Sequence, residues 1–494
     1  MKKSFIVFLI ISNSVFAQHP ETDSLDAFIA KQVLDYKVPG LAIGIIKNNK
    51  VIFKKGYGVT SALGNLPVTT QTIFPLASCT KAFTAAAMGI LVAEGKINWN
   101  DKIIKYLPGF KLSDPWITKE LTISDILSHR SGLISFDGDL LWYGTNYTRK
   151  EIVNKIQYSP IRTNFRLDFG YQNVMYLVAG MIIEVVSGRS WDEFVKEKIF
   201  KPLSMTNSST SILQMEKGNN YAQPHLQNNP IKLVNMDNIG PAGSINSNID
   251  EMIQWMQVWI GQGKINDTIV INENAFETIT SIKTFTSSTS ERGYGFGWYI
   301  KYKDGKKVLN HDGGMPGYKS SIVIFPESGA GIVVLTNKIS PLSDQLIGAL
   351  TDCLAKSEKI NWFQADKNMS RKSTVYKWDK EREDVGKLIS AIPNIAKYEG
   401  EYVDSVYGKA VIRKENGKAF LELLPTKELF AGYLYYKSEN KFKIILNDGF
   451  IPAGEIIFER DADSTIKGFK MNMETGDFHF EDLFFKKIKS GKKN

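Results

Sequence analysis

Ser78 and Lys81 stand three residues apart in PLASCTKAFTAAAMGILVAEGK, residues 75–96, and residues at that spacing share one face of a helix. A serine hydroxyl becomes a nucleophile when a neighbouring base removes its proton, and a lysine serves once burial has lowered its pKa. The apolar residues after Lys81 recur at helical spacing as far as Gly95, so the pattern predicts a helix that begins near Ser78 and is turned toward the interior. A lysine is costly there, because an ammonium taken out of water needs a partner or gives up its charge. A serine at a helix start also meets the positive end of the dipole, with its backbone N–H free to hold a developing oxyanion. The pair alone has a plainer reading, an N-capping serine followed by a surface lysine.

Two further stretches add chemistry. Tyr171-Gln172-Asn173 precedes a second strongly apolar helical pattern in NFRLDFGYQNVMYLVAGMIIEVVSG. At a helix start the phenol and the amide two residues on both reach a cleft, the phenol near Lys81 and the amide donating to a substrate carbonyl. Tyrosine titrates near ~10 and acts as a base only beside cations such as Lys81. In KVLNHDGGMPGYKSSIVIF a strand-like approach leads to His311-Asp312-Gly313-Gly314 and then to another strand. Glycines there let a substrate lie close to the strand edge, and the Gly314 N–H is placed to complete an oxyanion hole with that of Ser78. Taken singly, a turn tyrosine on the core and a D-G-G hairpin turn are the plainer readings.

The elements that must position these residues belong to a chain of 494 residues, long enough for two or three domains. MKKSFIVFLIISNSVFAQ has a basic start, a short apolar run and small residues up to Ala17. Residues 1–17 therefore read as a signal peptide cleaved after Ala17, and a periplasmic or secreted protein is expected. No later stretch offers about 20 unbroken apolar residues, so no membrane-spanning segment is expected after cleavage. The formal net charge of +9 is spread along the chain apart from the tail KKIKSGKKN, and no nucleic-acid partner is expected. The two cysteines, Cys79 and Cys353, make neither a disulfide framework nor a metal spacing. Cys79 reads as a small packed residue rather than a second nucleophile. His225 and His479 also lack partners at metal spacing, so no metal and no cofactor is expected.

A helical pattern, TDSLDAFIAKQVLDYK, is followed by strand-like LAIGIIK and KVIFKKGYG, joined by a tight turn at Asn48-Asn49. Helices and loops fill the region from Ser78 to about Gly263. Strands return in GYGFGWYIKY, KVLNHDGG and SSIVIFPESGAGIVVLTN, and the helical DQLIGALTDCLAK closes the domain. The fold class is α/β, with one antiparallel sheet built from both ends of the domain spanning residues 24–355 and flanked by helices. Residues 356–394 are charged and irregular and read as a linker. Residues 395–488 carry short alternating strands with turn signals at Asn416-Gly417, Asn447-Asp448-Gly449 and Asp461-Ala462-Asp463, the pattern of a small antiparallel β-barrel or sandwich.

S-x-x-K, then Y-x-N, then a strand motif at the K-T-G position, in this order, resembles the serine β-lactamase and penicillin-binding-protein superfamily, in particular the branch of class C β-lactamases, D-stereospecific aminopeptidases and related esterases. LSHRSGL at 127–133, PLSMTNSS at 202–209 and PAGSINSNIDEMIQW at 241–255 match as well. The C-terminal strands are similar to the small lipocalin-like domain that follows this hydrolase in many members. The resemblance implies a β-lactamase-like fold with a helical subdomain, and a small all-β barrel after it. It implies that Ser78 is acylated, that Lys81 helps remove its proton, and that Tyr171 acts as general base or acid. Asn173 would position the acyl amide or carbonyl, His311 and Gly313 would contact substrate, and the N–H groups of Ser78 and Gly314 would form the oxyanion hole. Which of Lys81 and Tyr171 is the working base stays open. His129 in LSHRSGL falls in a family segment that is structural.

Where β-lactamases carry K-T-G, this chain has His311-Asp312-Gly313, so a permanent cation and a hydroxyl give way to an imidazole and a carboxylate. Asp312 would repel an anionic substrate if it faced the cleft. The sequence thus favours a secreted serine hydrolase of peptides or amides of D-amino-acid type, or of esters, with a small molecule or peptide as substrate. The alternative is a β-lactamase or a low-activity penicillin-binding or sensor protein that binds cell-wall fragments.

Overall fold

The computed structural model describes residues 20–355, 378–386, 388 and 394–488. The signal-peptide stretch 1–17, most of the linker 356–394 and the side chain of Cys353 lie outside the described residues. The first hairpin joins β1 (Gly40–Lys47) to β2 (Lys50–Gly58). Its turn residues Asn48 and Asn49 sit at φ 50° and 60°, the two positive angles that a type I′ turn demands and asparagine tolerates. The remaining strands of the sheet come from the far end of the domain: β3 (Thr284–Phe285), β4 (Gly293–Tyr294), β5 (Tyr299–Lys303), β6 (Lys306–Met315), β7 (Tyr318–Phe325) and β8 (Ala330–Thr336). Across the sheet they run β2-β1-β8-β7-β6-β5-β4-β3, and each neighbouring pair is antiparallel, with Leu41 of β1 opposite Thr336 of β8. Residues from the two ends of the domain thus share its centre.

β1 and β8 are buried on both faces, so they read as continuous apolar runs rather than alternating ones. The helices that cover them are α1 (Pro20–Asp35), α2 (Thr80–Ala93), α3 (Asn173–Ser187), α4 (Ile249–Ile260) and α5 (Leu342–Ala355). Ile29 of α1 and Leu346 of α5 close over Ile43 and Val334 on one face. On the other face Phe83, Met175 and Trp255 from α2, α3 and α4 join Ile322 in the larger core, with Phe83 stacked on Trp255 at a centroid distance of 3.8 Å. α2 is buried along nearly its whole length, so its first turn is held fixed by packing from every side.

The C-terminal residues form a closed antiparallel barrel of eight strands, from Gly400–Asp404 to Phe484–Lys487, the last pairing back on the first through Tyr402 and Lys487. Tyr402, Leu421, Phe442, Phe469 and Phe485 fill its interior, as side chains do in small barrels. The barrel is docked on the α/β domain. The Tyr143 hydroxyl donates to Asp448 Oδ2 at 2.6 Å, Tyr147 donates to the Tyr407 carbonyl at 2.5 Å, His479 Nε2 donates to the Ser135 carbonyl at 2.8 Å, and Arg162 pairs with Asp482 at 2.5 Å.

Candidate active site

Ser78 lies in a 3-10 turn, Ala77–Cys79, and the α-helix proper starts at Thr80, two residues later than the apolar pattern implied. The reason is local: Ala77 is held at φ 44°, a left-handed conformation that costs a non-glycine residue ~1–3 kcal/mol and persists only where its surroundings enforce it. They do so here, since Leu76 N–H donates to Ile245 O at 2.7 Å and Cys79 N–H to Leu76 O at 3.1 Å. The kink leaves Ser78 on the wall of a cavity while Ala77 and Cys79 on either side are buried. The Cys79 thiol donates to the His311 carbonyl at 3.4 Å, and burial pushes its pKa up to about 12, so it is a protonated packing group and not a second nucleophile.

Lys81 is fully buried. Its Nζ lies 3.2 Å from Ser78 Oγ, 2.6 Å from Asn173 Oδ1 and 3.0 Å from the Ala242 carbonyl. Burial lowers its pKa to about 7, against the upward pull of the Asp139 charge. A neutral amine has two hydrogens and one lone pair. Asn173 Oδ1 and Ala242 O are acceptors only, so they take the two hydrogens, and the lone pair is left for the Ser78 hydroxyl. Tyr171 is also buried; its ring stands 4.7 Å from Lys81 Nζ and its hydroxyl is hydrogen-bonded to the Ser78 side chain. Burial raises its pKa well above 10, which keeps the phenol protonated at neutral pH.

Tyr171 and Asn173 owe their places to the segment before α3. Gln172 N–H donates to His129 Nδ1 at 3.0 Å, Tyr171 N–H donates to Ser135 Oγ at 2.9 Å, and the His129 and Tyr171 rings lie 4.4 Å apart. His129, its pKa driven well below the usual value by burial, is thus a neutral scaffold for the tyrosine.

β6 supplies the opposite wall. It extends through His311-Asp312-Gly313-Gly314 to Met315, and the turn falls two residues after the D-G-G, at Pro316-Gly317, with Gly317 at φ 80° as the third position of a type II turn requires. Met315 and Tyr318 close the hairpin. Antiparallel ladders alternate bonded and non-bonded pairs, so Gly314, opposite Lys319, aims its N–H away from β7. β5 pairs with β6 only as far as Asn310. That edge is therefore open at Gly314, which shares the cavity with Ser78. Gly313 is buried beneath: an added Cβ would fall 2.2 Å from Leu76 O and 3.0 Å from Ser78 N, so the strand packs against the nucleophile turn only because this residue is glycine.

His311 and Asp312 do not line the cavity. His311 is buried, with Nδ1 donating to the Asp312 carbonyl at 2.8 Å and Nε2 accepting from the Tyr294 hydroxyl at 3.1 Å. Burial pushes its pKa down to about 3, and its ring stands 6.2 Å from that of Tyr171. Asp312, one residue on, faces out, because successive side chains of a strand point to opposite faces. The carboxyls that do face the cavity are Asp139 and Asp477, which sequence reasoning missed. Asp139 Oδ2 accepts from Asn173 Nδ2 at 2.8 Å and Oδ1 accepts from Trp142 Nε1 at 2.8 Å. Burial raises its pKa, while the Trp142 and Asn173 donors and the nearby Lys81 charge pull it back toward the carboxylate.

The cavity measures about 340 Å³, at the small end of ligand pockets. Trp142, Tyr143, Met236 and Met315 give it apolar walls, and Phe450, Asp477 and Phe478 of the barrel complete them, with no lysine, arginine or histidine on the surface among the described residues. Its walls come from both domains.

The chain is 30% identical over 339 residues to unguisins hydrolase ungD′ of Aspergillus campestris (strain IBT 28561), which is 64% of this chain and 62% of that protein. It is 25% identical over 347 residues to protein flp of Staphylococcus aureus (strain NCTC 8325 / PS 47), covering 68% of this chain and 67% of that one. The chain thus spans about 62% of the length of the unguisins hydrolases that it matches. Among solved structures, the octameric penicillin-binding protein homologue from Pyrococcus abyssi has a similar fold, with a TM-score of 0.61 at 23% identity over 94% of this chain and 99% of that one. Residues 25–352 match the family described as Beta-lactamase, and the chain belongs to this family of serine β-lactamase and penicillin-binding-protein-like hydrolases.

Proposed function

We propose that the protein hydrolyses amides or esters through an acyl-enzyme on Ser78, with Lys81 as the base and Tyr171 as the proton donor. The observation that carries this reading is the placement of the buried Lys81 Nζ, 2.6 Å from Asn173 Oδ1, 3.0 Å from the Ala242 carbonyl and 3.2 Å from Ser78 Oγ, so that in its neutral form both hydrogens are engaged and the lone pair meets Ser78. Lys81 takes the Ser78 proton as Oγ attacks the carbonyl carbon, and the N–H groups of Ser78 and Gly314 hold the oxyanion. The phenol of Tyr171 protonates the departing nitrogen or oxygen and recovers its proton from the Lys81 ammonium. In the second half, water gives a proton to Lys81 and hydroxide to the acyl carbon, and the ester bond to Ser78 breaks with Oγ reprotonated.

The substrate class follows from charge. Asp139 and Asp477 face the cavity and no basic side chain stands on its walls among the described residues, so a substrate carboxylate finds no cation to pair with, whereas a free ammonium or a neutral group is accommodated. D-amino-acid amides with a free amine and compact neutral esters fit this surface, and β-lactams, which carry a carboxylate, do not. A relative named as a hydrolase supports the general activity. Action outside the cytoplasm, after loss of residues 1–17, is part of the same proposal.

The test is a set of initial rates for the mature protein and for Ser78→Ala on a short-chain aryl ester, a D-amino-acid anilide and a chromogenic cephalosporin. Turnover of the ester or the anilide that vanishes in Ser78→Ala is the expected outcome. A cephalosporin rate above both others would overturn the substrate class, and full activity in Ser78→Ala would overturn the mechanism.

A further inference from the structure

Asn173 presents an amide whose two ends are nearly equal in shape and opposite in hydrogen bonding. With Oδ1 toward Lys81, as here at 2.6 Å, it accepts one of the amine's hydrogens. With the amide turned over, Nδ2 would point a hydrogen at the lysine lone pair and cap the base. Lys81 cannot by itself forbid this, because an amine both donates and accepts. The residue that decides lies on the far side of the amide. Asp139 Oδ2 stands 2.8 Å from Asn173 Nδ2, and Trp142 Nε1, which is a donor only, pins Oδ1 of the same carboxyl at 2.8 Å. With Asp139 ionised, turning the amide would place its carbonyl against the carboxylate and leave two acceptors facing each other in a buried site.

We propose that Asp139 is a positioning residue: by fixing the amide of Asn173 it turns the lone pair of Lys81 toward Ser78. This rests on the acyl-enzyme reading above and adds to it a residue that need not touch the substrate. The Asp139 charge also draws the Lys81 pKa upward, so its removal lets the amine stay neutral to a lower pH. Loss of Asp139 therefore lowers the plateau rate and moves the acid limb to lower pH, two changes that a merely loosened structure would not combine.

The experiment measures the rate at which an uncharged alkyl fluorophosphonate labels the full-length protein, followed by intact mass across pH. In this step Ser78 Oγ bonds to phosphorus, fluoride leaves, and Lys81 takes the proton, so the readout needs no natural substrate and no charge on the ligand. Asp139→Asn, Asn173→Ala and the double variant complete a cycle, with thermal unfolding as a check on the fold. Asp139→Asn is expected to label about tenfold to a hundredfold more slowly, a part of the ~10²–10⁴ that a positioned base supplies, with its acid limb shifted down. In the Asn173→Ala background the same change is expected to cost little, because coupled residues are not additive. Labelling of Asp139→Asn at the wild-type rate, an unmoved acid limb, or fully additive losses would each overturn the proposal. If Asp139→Asn does not fold, Asp139→Ala, which adds no competing amide, takes its place in the cycle. A wild-type protein that resists labelling at Ser78 overturns the acyl-enzyme reading itself, whereas labelling that ignores Asp139 overturns this inference alone.

Discussion

Two buried groups touch Ser78, and their environments push them in directions that assign their roles. Burial holds the Lys81 amine at about 7 and lifts the Tyr171 phenol well above 10. A base works in its deprotonated form, so activity limited by Lys81 rises with pH, has its inflection near 7 and is level above it. Were the phenolate the base, the rise would continue past pH ~10. Log kcat/KM for a neutral aryl ester, measured from about pH 5 to about pH 9, is expected to climb with unit slope and flatten near 7; a profile still climbing at the upper end would transfer the role to Tyr171. Ser78, Lys81, Tyr171 and Asn173 could be found from sequence because each pair lies within one helical turn. Asp139 could not, since its partner Asn173 is 34 residues away across loops whose path no periodicity encodes.

At the scale of elements, the site is the seam between the α2 turn and the open edge of β6, and two adjacent glycines hold it differently. A Cβ on Gly313 would strike the Leu76 carbonyl and the Ser320 hydroxyl, at 2.2 and 2.3 Å, and approach Ser78 N at 3.0 Å. Two of these are backbone atoms, so the strand must back away from the nucleophile turn and the oxyanion donors part. A Cβ on Gly314 meets nothing within 4 Å. Gly313→Ala is therefore expected to lose about 10²–10³ in kcat, the loss typical of one oxyanion donor, together with thermal stability. Gly314→Ala keeps its N–H and is expected to unfold at the wild-type temperature and stay within about tenfold in kcat. Equal activities for the two would show that the strand does not form the oxyanion wall. The antiparallel sheet and its Asn48-Asn49 turn were legible from apolar runs and turn chemistry. The strand KVLNHDGG was legible as well, but the point at which it turns was not, because D-G-G followed by P-G offers two turn signals and only packing against Leu76 and Ser78 chooses the second.

At the scale of the whole molecule, the barrel is part of the cleft. Its strands were readable from alternation and from turns such as Asn416-Gly417, at φ 50° and 79°, but its docking was not, since Tyr143 meets Asp448 across 305 residues. The contact matters because it brings Phe450 and Phe478 to the cavity wall, with the Phe478 ring 4.7 Å from that of Tyr143. Both rings stand on the cavity wall, where Lys81 and Tyr171 do not, so trimming them alters which substrates fit and leaves the proton chemistry alone. Phe450→Ala and Phe478→Ala are each expected to raise kcat/KM for an ester with a bulky leaving group, relative to a compact one, by about tenfold, within the range that pocket shape sets. The acid limb near 7 is expected to stay in place, which separates a widened cleft from a damaged base. If bulky and compact esters keep their ratio in both variants, the barrel does not wall the cleft in solution, and the size limit lies instead with Trp142, Met236 and Met315 of the hydrolase domain.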